Sequence, residues 1–197
     1  FKNSHTVGIY AAPTSIKIYV DYHVIDLAEE NANDLKTLDN TYVKLNRTLV
    51  ANKWNTLCVP FAISEEEIKA NFGEGTLVEK FDAVNGNTVN FANATSIEAG
   101  VPYLIKPTVA DTTYTFYGKE VSADTPKVEG NADVTFKGIY SPTDITNNGT
   151  VKAAGVTEGG KVLFVNQGSQ TKAFRCFFTI SDNASITPAM LKISIKG

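Results

Sequence analysis

The residues of this chain that could do chemistry are few and far apart. Its two histidines, His5 and His23, both fall in the first 25 positions, and no Gly-x-Ser-x-Gly turn occurs anywhere. A serine or cysteine nucleophile needs a histidine within reach, so triad hydrolysis is excluded as a reading. Zinc needs clustered histidines and cysteines, which Cys58 and Cys176 with two N-terminal histidines do not supply. Oxygen donors of the kind calcium takes gather in residues 29–40 and 144–148. Neither stretch has the Asp-x-Asp/Asn-x-Asp/Asn-Gly spacing of a calcium loop, so solvated loops are expected and no metal or cofactor is assigned. A carboxylate pair for glycoside hydrolysis would meet in space rather than in sequence, and spacing says nothing about it. The chain is read as non-enzymatic.

Three sets of residues remain. Only two of the 18 basic residues are arginine. Arg47 falls on the apolar side of a strand with Val43, Leu45 and Leu49, and Arg175 lies between Phe174 and Cys176. A buried guanidinium requires a carboxylate or carbonyls, so partners within hydrogen-bond range are expected for Arg47. The expected role is structural, fixing strand register; the other reading is an anion or carboxylate site. Tyr103, Tyr114, Tyr117 and Tyr140 lie in successive strand segments. They are the candidates for a sugar-stacking face, against the plainer reading that tyrosine favours strands and core edges. Cys58 and Cys176 sit in apolar segments, as two buried thiols or as one bridge joining two strands.

These residues are positioned by strands. In residues 46–61 the chain gathers its single tryptophan, one cysteine and one arginine. Residues 54–59 are bulky on both faces, which suits a central strand covered on both sides, with Trp54 as packing anchor and Pro60 ending the ladder. After Phe61 the period changes: Ser64 and Glu67 form a capping box, Ile63 and Ile68 a hydrophobic staple, and Gly73 a stop. This predicts one short helix over 64–72, so Gly73-Glu74-Gly75 ends a helix rather than cradling phosphate. Strands are expected at 7–10, 15–20, 76–84, 87–92, 101–106, 113–117, 134–140, 151–153, 161–165, 172–180 and 191–195. Between them lie Asn85-Gly86, suited to a type I′ hairpin, and turn signals at 147–149, 159–160 and 168–169. The fold class is all-β: an antiparallel, jelly-roll-like β-sandwich with one short helix. Residues 1–25 read as an N-terminal arm or remnant of a preceding domain, and 26–197 as the sandwich domain.

A length of 197 residues with 43% hydrophobic content is enough to bury a substantial core. A net charge of −3 gives no basis for nucleic-acid binding. No apolar run approaches the ~20 residues of a membrane span. The start at Phe1, with no signal peptide, is what a mature form with its leader removed would show.

Five stretches, in order, carry a resemblance: NRTLVANKWNTLCVPF, FGEGTLVEKF, IEAGVPYLIKP, VTFKGIYSP and KAFRCFF. Over about residues 41–197 the chain resembles a β-rich module that recurs in secreted and surface proteins of gut Bacteroidetes, often towards the C-terminus beside leucine-rich repeats or immunoglobulin-like domains. Where that module has Arg-Ala-Tyr-Phe, this chain has Arg175-Cys176-Phe177-Phe178. The resemblance implies an exported bacterial domain, secreted or at the cell surface, and carries over no catalytic residue. The leading expectation is a non-enzymatic module for adhesion, display or assembly within a larger protein. The second is a carbohydrate-binding module with an aromatic face, supported by calcium. A glycan or another surface protein is the expected partner.

Overall fold

The computed structural model describes residues 2–3, 21–145, 151–164, 168–182, 184–187 and 189–195. The strands expected at 7–10 and 15–20, and the turn at 147–149, lie outside them. Among the described residues the elements are β1 (Lys2–Asn3), β2 (Tyr22–Ala28), β3 (Leu38–Asn46), β4 (Asn55–Leu57), α1 (Glu65–Phe72), β5 (Leu77–Asn85), β6 (Thr88–Asn93), β7 (Tyr103–Lys106) and β8 (Thr113–Val121). They continue with β9 (Val128–Gly130), β10 (Val134–Gly138), β11 (Thr143–Ile145), β12 (Val151–Val156), β13 (Val162–Phe164), β14 (Ser169–Thr171), β15 (Cys176–Ser181) and β16 (Lys192–Ile195).

The fold is all-β and sandwich-like, with one helix. A first sheet runs β1-β2-β3-β8, a second β16-β6-β5-β7-β4, a third β13-β12-β15-β10-β9, and β11 pairs with β14 as a ribbon. Two pairings, β2 with β3 and β16 with β6, are parallel; the rest are antiparallel. The second and third sheets face each other: the Phe91 ring meets Phe136 at 5.4 Å and Phe178 at 6.4 Å, edge to face. Burying such a ring stabilises by about 1.5–3 kcal/mol. On the first sheet, Val43, Leu45, Tyr114 and Phe116 turn inward. Phe61 covers Phe116 (5.0 Å between ring centres), and Phe72 of α1 covers Tyr114 (4.8 Å).

The helix forms where its caps are. Glu67 N donates to Ser64 Oγ and Ser64 N to Glu67 Oε2, closing the capping box, while Ile63 and Ile68 are buried beneath it. A Cβ at Gly73 (φ +92°) would lie 2.2 Å from Thr108 Oγ1, so the stop must be glycine. The helix also covers the open edge of β8: Thr115 N donates to Asn71 Oδ1, and Lys119 Nζ meets both oxygens of Glu67. Replacing Ser64 by alanine should cost about 1 kcal/mol, read as a lower urea midpoint at unchanged m.

Three local expectations change. The 54–59 segment is covered on both faces but forms the edge strand β4, because its outer edge is taken by side-chain and loop bonds. Cys176 N donates to Thr56 Oγ1, and Cys58 N to the Phe174 carbonyl. The 172–180 segment is broken: Phe174 sits at φ +59°, so Arg175 lies in a turn between β14 and β15 rather than within one strand. The hairpin between β5 and β6 turns at Gly86-Asn87, and of these only Gly86 has a positive φ. That is the type II′ pattern, not type I′.

Candidate functional site

Arg47, Glu29 and Arg175 form one polar cluster. Arg47 follows β3 directly, continues its inward row, and is 1% exposed. Its guanidinium donates to Glu29 Oε2 (3.1 Å), to the Thr56 carbonyl (3.1 Å) and to the Thr48 carbonyl, so the expected carboxylate and carbonyl partners are present. Glu29 is placed by the backbone: its N donates to the Asn46 carbonyl, and its own carbonyl accepts from Ala173 N. Arg175 Nη2 reaches the same Oε2 at 2.9 Å, and Lys172 approaches Oε1 at 3.6 Å. Burial alone would raise the Glu29 carboxyl, but Arg47, Arg175 and Lys172 outweigh it and hold it below the ordinary value. Burial and the facing Arg175 draw Arg47 down to about 10 against the pull of Glu29, which leaves it charged at neutral pH. The cluster ties the loop after β2 to the ends of β3 and β4 and to the turn before β15.

The cysteines are inert. Both are free and buried, and burial pushes Cys58 up to about 12 and Cys176 well above its usual value. A thiol so placed is neither nucleophile nor metal ligand at neutral pH. No group of three or more His, Cys, Asp or Glu is placed to hold a metal ion among the described residues. Trp54 is half-buried before β4, its N donating to the Glu158 carbonyl and its ring against Gly160.

The tyrosines divide. Tyr103, Tyr114 and Tyr140 are buried, with hydroxyls turned to backbone: Tyr103 accepts from Glu98 N, and Tyr114 exchanges bonds with Asp111 N and O. Tyr140 points its hydroxyl at the Val59 carbonyl. The face expected from these three with Tyr117 therefore does not form. Tyr117 alone is at the surface, 73% exposed, and it gains different neighbours.

Those neighbours come from register. Val43 pairs with Phe116 facing inward, so Tyr42 and Tyr117 stand together on the outer face of the first sheet, ring centres 4.9 Å apart and tilted 41°. The parallel β2–β3 pairing brings Tyr22 alongside. The β3–β8 ladder shifts register between Leu38 and Thr41 and again between Thr41 and Val43, with Asn40 at φ +41° and Gly118 at φ +63°. Such bulges twist a strand and re-aim its side chains. Here they open a depression of about 410 Å³ lined by Tyr22, Asn40, Tyr42, Tyr117 and Gly118. The Asn40 amide donates to the Asp21 carbonyl, and beside it His23 Nε2 lies 3.6 Å from Asp39 Oδ1. The tilted Tyr42 and Tyr117 rings, with Tyr22 and the Asn40 amide beside them, offer an apolar wall with a polar group at its rim, the mixture that small-molecule sites use. Tyr22 and Tyr42 escaped the sequence reading because only the long-range strand pairing brings them to Tyr117.

In comparisons with known proteins, no protein-family model, no curated protein and no solved structure matches the chain.

Proposed function

We propose that this is a non-enzymatic binding module of an exported surface protein, and that it adheres to a glycan through the outer face of its first sheet. One observation carries the proposal: the Tyr42–Tyr117 pair with Tyr22 and Asn40 around the 410 Å³ depression. Aromatic rings present a broad apolar face to the C–H side of a sugar ring, and polar groups at the rim meet its hydroxyls. The burial and raised pKa of both thiols support the non-enzymatic part. The resemblance to modules of secreted and surface proteins supports export.

The test is a glycan array followed by titration calorimetry on the best hits. Tyr42→Ala and Tyr117→Ala should each weaken binding at least tenfold, about 1.4 kcal/mol. Tyr117→Ala should leave the Tm nearly unchanged, because its ring is exposed. Binding that survives both substitutions would move the site elsewhere, and an empty array would overturn the reading.

A further inference from the structure

The aromatic depression is not isolated. It shares Tyr22 and Asn40 with a depression of about 240 Å³ that Asp21, His23 and Asp39 complete. It shares Gly118 with a third of about 620 Å³, which contains Lys119 and Glu120 and meets the second at Asp39. The three share lining residues and form one connected surface around the bulged start of β3.

The carboxylates on this surface outnumber its described basic groups, which are Lys119 and the His23 imidazole 3.6 Å from Asp39 Oδ1. Asp21, Asp39 and Glu120 are acidic and exposed, and the Asp39 side chain is 90% open to solvent. Lys119 is the one lysine or arginine among the described lining residues. Its Nζ lies 2.7 and 2.9 Å from the two oxygens of Glu67, and its side chain is only 12% exposed. Its charge is thus matched within the fold and turned from the surface. Among the described lining residues, an anionic ligand would meet acidic groups and no lysine or arginine turned towards it. A hydroxyl or an ammonium would find carboxylates that accept from it, and such charge-assisted bonds are the stronger kind.

We propose, resting on the glycan reading above, that the connected surface selects extended glycans built of neutral or amino-bearing sugars and rejects those that carry carboxylates. Selectivity here comes from a repulsive element beside the attractive rings, a common way to separate similar ligands. The attraction lies with Tyr22, Tyr42 and Tyr117, and the discrimination with Asp39 and Glu120. Because those acids are exposed, the effect is screened by salt.

The experiment titrates the domain with cello-oligosaccharides, chitosan oligosaccharides and oligogalacturonates at about 20 mM and 500 mM salt, where the screening length falls severalfold. At low salt the oligogalacturonate should bind at least tenfold more weakly than the neutral chain, and the gap should narrow at high salt. In the Asp39→Asn, Glu120→Gln double variant, checked for an unchanged Tm, the low-salt gap should also narrow. Tyr117→Ala should weaken all three probes together. Equal binding of oligogalacturonate and the neutral chain at low salt overturns the selectivity and leaves the aromatic site standing. A gap that ignores both salt and the double variant also overturns it, because the discrimination would then be one of shape. Retention of none of the three, with an empty array, overturns the glycan reading and this inference with it.

Discussion

Replacing Glu29 by glutamine should destabilise the domain by about 3–5 kcal/mol, the scale expected when a buried pair loses one partner. Glu29 Oε2 serves Arg47 and Arg175 together; its loss leaves Arg175 within reach of solvent but strands Arg47, which has no route to water. The Thr48 and Thr56 carbonyls would still accept from Arg47, but neutral oxygens do not balance a buried cation. Arg47→Met should cost less. It removes the buried charge and leaves Glu29 with Arg175 and Lys172 at the more open end of the cluster. The comparison of the two variants by guanidinium denaturation separates charge balance from packing. A loss under about 1 kcal/mol for Glu29→Gln would mean that solvent replaces the carboxylate. The sign with pH follows from the lowered carboxyl value. Stability from Glu29 is fully present above the unfolded carboxylate pKa, about 4.3, and is lost as pH falls through the lower folded value. The glutamine variant should lack that part of the acid transition.

Replacing Glu79 should do the opposite. Glu79 is fully buried on β5, and neither carboxylate oxygen has a hydrogen-bond partner among the described residues. Its register neighbours are Asn93 on β6 and Leu104 on β7, on the face that carries Phe81 and Phe91 towards the third sheet. From that sheet Phe136 and Phe178 meet this face, and Glu129 pairs with Phe136 at its edge. Desolvation, with no charged partner among the described residues to offset it, pushes the Glu79 carboxyl above its usual value. A raised folded value means that the stability is present below about pH 4.3 and lost as pH rises through the folded pKa. Glu79→Met, similar in length and apolar, should therefore raise stability at pH 8 by about 2 kcal/mol. On a domain of this size that is about 5 °C in Tm. The gain should shrink as pH falls below about 4.3, where the wild-type carboxyl becomes protonated in the folded and the unfolded chain alike. A variant less stable than the wild type at pH 8 would show that Glu79 is satisfied in solution.

How much of this was legible in the sequence differs by residue. The helix was readable to within a residue, because the Ser64–Glu67 box, the staple and the Gly73 stop are all local. The inward row Val43, Leu45, Arg47, Leu49 was readable as well, because alternation alone sets it, and with it the need of Arg47 for an acid. Which acid was not readable: Glu29 and Arg175 are brought together across 146 positions by the tertiary fold. The strand β2 has no legible local signal, because His23 and Asp26 interrupt its apolar row in a polar neighbourhood. Short β9, β11 and β14 have too few residues to show a period.

The tyrosines show the division most clearly. Alternation by itself puts Tyr114 and Tyr117, three apart on one strand, on opposite faces, so one of them was bound to turn away. Which face would be covered was a matter of layers, and Phe72 of α1 chose the face of Tyr114. The partners of Tyr117 came from two further strands, through a parallel pairing and a bulged ladder that no local pattern encodes. Glu79 is the same lesson in the core. Leu77, Glu79 and Phe81 alternate with Val78, Lys80 and Asp82, each face mixing apolar and charged residues, so the sequence offered no preference. The sequence by itself determined the all-β character, the helix and the inward row that holds Arg47, since strand parity and helix caps are set within a few residues. Tertiary structure alone decided which tyrosines meet water and which carboxylates do not, because burial is fixed by what packs from distant parts of the chain.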